Sequence, residues 1–280
     1  MYNLNTNIPT IQIYLDSRYG DIIDDKNTNV NFTFSDFLDV PDDVTVLLSV
    51  QDVEIPLTNY VINDTNNKLV IQFLDGIEEE IYITNGDYDG LELKTEIFNL
   101  SSFTHVDYNT KTNKLTFIHV QDFIINYEKS TCFNIIGFDY KDHTTTYENG
   151  VYYIRSDHMV DLSGLSTLYI HCPNISTSNI SAREGGFTDV ILKIPVNCNS
   201  GNVLTWTNTN NFKSKINEKV LNNFIIRITD EDNKVLDLNG LNIHWTMTLQ
   251  LDFIKTLPKS EEVNIIKQNE KKKRKKKDKK

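Results

Sequence analysis

The chain has 280 residues, 39% hydrophobic and 10% aromatic, with 28 Lys+Arg against 39 Asp+Glu and a formal net charge of −11. That length and apolar content suffice for a sizeable buried core and exclude a wholly disordered chain. The acidic balance excludes a body that draws in nucleic acid or anionic lipid over a distance.

The N-terminal stretch MYNLNTNIPTIQIYLDSRYGD lacks the basic and apolar regions of a signal peptide. No run of 18 apolar residues follows it, so no membrane-spanning helix is expected. Apolar and polar residues alternate with a period of two along most of the chain, the pattern of half-buried strands. Strands are expected at Ile11–Leu15, Val30–Phe34, Val44–Val53, Leu69–Leu74 and Glu80–Ile83. One helix then stands out in NGDYDGLELKTEIFNL: Asp89 is placed to cap it, and Glu92, three residues on, to close a capping box. Leu91, Leu93, Ile97, Phe98 and Leu100 follow as its apolar residues. The next stretch, HVDYNTKTNKLTFIH, reads as a hairpin turning at Asn109–Asn113. Residues 66–140 thus form a small α+β module inside an otherwise all-β chain.

Further strands are expected at Phe123–Asn126, Val151–Ile154, Thr167–His171, Val190–Pro195, Val203–Trp206 and Val220–Thr229. The last, Leu241–Ile254, has the clearest alternation. Its odd-numbered residues, Leu241, Ile243, Trp245, Met247, Leu249, Leu251 and Phe253, should face the core, and its even-numbered residues the solvent. Many short strands with one helical island imply a β-sandwich carrying an insertion.

Few residues point to chemistry. The histidines at 105, 119, 143, 158, 171 and 244 form no metal-ligand spacing, and no nucleophile or phosphate-loop motif occurs. REGGF at 183–187 reads as a flexible loop rather than a phosphate cradle. DEDNKVLD at 230–237 reads as a hairpin turn, because a calcium loop would need a glycine at its sixth position. Cys132, Cys172 and Cys198 are an odd number without metal spacing, and read as three reduced thiols in an intracellular protein. No catalytic residue, cofactor or metal is expected.

Several segments, taken in order, carry a resemblance. IYLDSRYGD, VEIPLTNYVIN (53–63), YITNGDYDGLELKTEIFNL, DYNTKTNKLTF (107–117) and FNIIGF (133–138) resemble successive pieces of jelly-roll penton and minor capsid proteins. Such proteins belong to virophages, polinton-like elements and large double-stranded DNA viruses. The closing strands, VDLSGLSTLYIHC, VILKIPVN and FIIRITDEDNKVLDLNGLNIHWTMTLQLDFI, are similar too. Thr84 stands where the family usually has proline. The resemblance implies an antiparallel jelly-roll sandwich with residues 1–65 as its first part. The α+β module at 66–140 is inserted, residues 141–258 form the second part, and 259–280 form a disordered basic tail. It implies a non-enzymatic virion protein, foremost a penton forming homopentamers at icosahedral vertices. The alternatives are another minor capsid protein beneath or between capsomers, or a jelly-roll module that attaches to carbohydrate. For the last, Trp206 and Tyr152-Tyr153 are the aromatic candidates, although core packing is the plainer role for them. The implied partners are further copies of itself and a major capsid protein, in a capsid assembled in a cytoplasmic viral factory or the nucleus.

The tail has a separate logic. Lys271, Lys272, Lys273, Arg274, Lys275, Lys276, Lys277, Lys279 and Lys280 supply nine of the 28 basic residues. Without residues 270–280 the body keeps 19 basic and 37 acidic residues, a net charge of −18. Like charges at every spacing prevent the tail from folding alone. Three roles fit: a solubilising end, a nuclear-import signal, or an anchor to packaged DNA, an internal acidic protein or an anionic inner membrane.

Overall fold

The alternating segments pair into antiparallel ladders, which satisfy the backbone amides while one face of each strand is buried. The computed structural model describes residues 10–255 apart from Ser176, so the basic tail and its nine cations lie outside the described residues. The chain divides into two units. One ends its first segment at Thr58 and resumes at Thr167; the other is Asn59–Ser166.

The first segment holds β1 (Thr10–Asp16), β2 (Asp21–Ile22), β3 (Asn29–Asp39) and β4 (Val44–Pro56). The inserted unit holds β5 (Lys68–Phe73), β6 (Glu78–Tyr82), α1 (Gly90–Leu100), β7 (His105–Asn109), β8 (Lys114–His119) and β9 (Phe123–Ile125). It continues with α2 (Phe133–Ile136), β10 (His143–Thr144), β11 (Thr146–Glu148) and β12 (Val151–Arg155). The first unit then resumes with β13 (Thr167–His171), β14 (Ile180–Ser181), β15 (Gly186–Phe187) and β16 (Val190–Pro195). It closes with β17 (Val203–Thr207), β18 (Ser214–Ile216), β19 (Val220–Thr229) and β20 (Thr246–Lys255).

In the first unit one sheet has the order β1-β20-β4-β17, with β18 also on β4, and the other has β16-β13-β19-β3-β2. Set aside the short strands β2, β14, β15 and β18, and eight remain. Counted along the chain, the first pairs with the eighth, the second with the seventh, the third with the sixth and the fourth with the fifth, all antiparallel. This is one long hairpin rolled into two sheets, the jelly roll that the sequence resemblance implies. Apolar residues of both sheets fill its interior, including Leu15, Phe32, Leu48, Ile55, Ile170, Phe224 and Leu249. Trp245 is wholly buried, meets Phe32 edge-on at a centroid distance of 5.8 Å, and donates its indole N–H to the Asn27 carbonyl at 2.7 Å.

The strand expected from Leu241 begins instead at Thr246. Its neighbours explain the difference: Thr246 faces Asp16, the last residue of β1, and Glu54 of β4. Residues 241–245 lie outside the ladder, and Leu241 is exposed. From Trp245 onward the expected face is buried at Met247, Leu249 and Leu251. A register shift against β4 between Thr248 and Leu249 accompanies the burial of Thr248 as well.

The inserted unit has two sheets, β10-β9-β5-β6 and β11-β12-β8-β7, and its own core, in which Phe103, Phe117 and Phe123 pack ring to ring. The capping box is present: Asp89 accepts from the amides of Leu91 and Glu92 at 2.8 Å each, and Glu92 accepts from the Asp89 amide at 2.9 Å. Leu93 and Ile97 enter the core, whereas Leu91, Phe98 and Leu100 face outward. The unit is wider than the expected 66–140. β12 pairs with β8 and β10 with β9, so residues 141–155 belong to these sheets and not to the sandwich. At the front, a bridge between Ile62 and Gly86 draws in the residues before β5.

Candidate functional site

Two constellations of polar side chains stand out, one in each unit. The first is buried in the jelly roll. A register irregularity between Ile170 and His171 interrupts the β13–β16 ladder at its end, and such irregularities re-aim side chains. His171 Nδ1 lies 2.6 Å from Asp189 Oδ1, and Nε2 lies 3.1 Å from the Thr229 hydroxyl. The Arg227 guanidinium stands 3.7 Å from the other Asp189 oxygen. In outline this is a hydroxyl, an imidazole and a carboxylate in line. It is not a nucleophilic triad, because Thr229 is fully buried and its hydroxyl donates to the Asp230 carbonyl. The network ties β13 and β19 to the residue just before β16.

The hydrogen bond from His171, aided by the charges of His171 and Arg227, holds the Asp189 carboxyl below the usual carboxylate range against the opposing effect of burial. Its ionised form therefore favours the folded state. That contribution is complete above the unfolded value of about 3.9 and is lost as pH falls through the lower folded value. Replacing Asp189 with alanine should cost about 2 kcal/mol at pH 7, from the loss of a charged hydrogen bond to a buried group. Urea unfolding of both proteins at pH 7 and pH 3 checks this, since the gap between them should narrow in acid.

The second constellation borders an open cleft of about 800 Å3 in the inserted unit. The start of α1, the β7–β8 hairpin, the end of α2 and residues 158–163 form its walls. Glycine is required at two points. A side chain on Gly90 would lie 2.1 Å from the Tyr108 ring, so its absence lets that ring rest on the first turn of α1. Gly137 ends α2 at φ +78°, and a side chain there would meet the His158 carbonyl at 2.5 Å. Most polar atoms on the walls have local partners. The Tyr88 hydroxyl donates to the Thr84 carbonyl at 2.7 Å, and Tyr108 donates to Asn113 Oδ1 at 3.0 Å. Asp161 Oδ1 accepts from the Ser163 amide and hydroxyl. The Asn134 amide oxygen accepts from the Tyr140 hydroxyl. His158 Nε2 lies 2.8 Å from Asp139, whose carboxyl this contact draws below its usual range.

The other expected sites take plainer roles. Ser17 Oγ sits 3.2 Å from His244 Nδ1 and accepts the Trp245 amide, so it braces the entry to β20. His119 Nδ1 accepts the Gln121 amide in a turn, and His143 packs on the Phe138 ring at 4.6 Å. Among the described residues no three His, Cys, Asp or Glu side chains converge as a metal site. REGGF is not a loose loop. It lies in the β14–β15 hairpin, and Arg183 bonds the Glu231 carbonyl. Asp230 Oδ1 accepts the Asp232 and Lys234 amides, which makes DEDNKVLD the expected turn. Burial pushes the thiols of Cys132 and Cys172 up to about 12, so both stay protonated and unreactive at neutral pH. Trp206 and Tyr152-Tyr153 are half-buried and belong to different units, so they form no common aromatic platform within either.

No family model and no curated protein matches the chain. Among solved structures the chain is similar to the mavirus penton protein, with 13% identical residues and a TM-score of 0.49. The match covers 88% of this chain and 99% of that one, and it is too distant to transfer a role.

Proposed function

We propose that the chain is a structural virion protein, the penton subunit that forms homopentamers at icosahedral vertices. The observation that carries the reading is the strand order. Eight strands paired first-to-eighth, second-to-seventh, third-to-sixth and fourth-to-fifth make a jelly roll, an architecture used by viral capsid domains. The segment-by-segment resemblance to penton and minor capsid proteins supports the same reading. A fold by itself does not assign a function. The second support is the packing: apolar side chains such as Trp245, Phe32 and Phe224 fill the interior of the sandwich. The third is that the hydroxyl and imidazole of the Thr229–His171–Asp189 alignment are buried. In this role the strands position inter-subunit surfaces and turn nothing over.

Native mass spectrometry of the full chain should give a pentamer, and imaging of purified particles should place it at the five-fold vertices. A protein that stays monomeric at high concentration and is absent from particles overturns the reading.

A further inference from the structure

The cleft at the start of α1 exposes a specific set of uncommitted groups. The Tyr88 and Tyr108 hydroxyls are engaged by Thr84 and Asn113, and both rings are half-buried against the core, so each offers a ligand only its uncovered part. The amide oxygens of Asn113 and Asn134 are taken by Tyr108 and Tyr140, which leaves their NH2 groups as donors. Asp89 and Asp161 each commit one carboxylate oxygen, to the helix cap and to the Ser163 turn, which leaves the other as an acceptor. All six side chains line the same cleft.

Each feature narrows the ligand. Two carboxylates repel an anion. A purely apolar ligand would strip water from four polar side chains without replacing their hydrogen bonds. A lysine or arginine side chain would suit the carboxylates and rings but would set its donors against the two NH2 groups. A pyranose sugar satisfies all three constraints. Its hydroxyls both donate and accept, it carries no charge, and its C–H face packs on an aromatic ring. We propose that this cleft binds one neutral sugar residue of a glycan, with Tyr88 or Tyr108 stacking on the ring and Asp89, Asp161, Asn113 and Asn134 reading its hydroxyls. On this view the inserted unit holds carbohydrate, whereas the jelly roll holds neighbouring subunits. The inference goes beyond the capsid reading and rests only on residues of the inserted unit, so failure of either leaves the other intact.

Saturation-transfer NMR on the full chain tests it, using the methyl glycosides of glucose, galactose, mannose and N-acetylglucosamine. A methyl sialoside and an oligolysine peptide complete the set of probes. At least one neutral glycoside should bind with a Kd of about 1 mM, as expected for a single small ring. Tyr88→Ala or Asp161→Asn should weaken it by about tenfold. Asp89→Asn preserves a good helix cap, so it should weaken the sugar at an unchanged melting temperature. The proposal is overturned if no neutral glycoside binds, if binding survives all three substitutions, or if only the sialoside or the peptide binds.

Discussion

Replacing Trp245 with alanine should destabilise the jelly roll by about 3–5 kcal/mol, the range for deleting a large aromatic from a packed core. The indole is wholly buried, touches Phe32 of the opposing sheet, and satisfies the Asn27 carbonyl through its N–H. Truncation therefore leaves a cavity and an orphaned acceptor together. Fluorescence provides a selective readout. Trp206 and Trp245 are the only tryptophans, and both belong to the first unit. In Trp245→Ala, the Trp206 signal should unfold at lower denaturant. Phe117→Ala, which empties the core of the inserted unit, should cost a similar 3–5 kcal/mol. It should lower a far-ultraviolet transition while moving the tryptophan transition much less. A loss within about 0.5 kcal/mol for Trp245→Ala would mean that the residue behaves as a surface position.

Deleting residues 271–280 should abolish binding to duplex DNA at low salt. The body without residues 270–280 carries −18, and the last ten residues hold nine cations against Asp278. Any attraction to a polyanion must then come from this segment. Each phosphate neutralised releases counterions, so nine contacts give a log K against log salt slope of at most about −8. A salt series on intact and truncated protein measures both quantities. If the two bind DNA equally at low salt, the tail is no DNA anchor. If the truncated chain also reaches nuclei and assembles normally, the tail only solubilises.

How much could be read from the sequence depended on how far apart the interacting residues lie. The α1 cap was legible because Asp89 and Glu92 are three residues apart, and the β7–β8 hairpin because its turn and both strands are contiguous. Whether an alternating segment becomes a strand depends on its neighbours. Leu241 and Ile243 keep the pattern of β20 but lie beyond the residues that β1 and β4 pair with, which no local pattern encodes. The inserted unit extends past the expected 66–140 for the same reason, since β12 reaches back to β8. Neither polar constellation follows a local pattern. His171, Asp189 and Arg227 follow no fixed spacing, and the cleft joins residues from Tyr88 to Ser163. Gly90 was the one local hint, a glycine at the first position of a helix where a side chain would otherwise be favoured.

The position of the insertion has a consequence for synthesis on the ribosome. β1 pairs with β20, β3 with β19, and β4 with β17, β18 and β20, so the principal partners of the first segment are all encoded beyond Ser166. The nascent chain therefore releases three long strands with apolar faces and open edges well before those partners exist. At elongation rates of about 5–20 residues per second, the wait from the end of β4 to the start of β17 is roughly 7–30 s. The Asn59–Ser166 unit draws its sheets and core from its own residues, so it can finish folding during that interval. The early strands cannot, and they are the part of the newborn protein most exposed to aggregation and most in need of a holding chaperone.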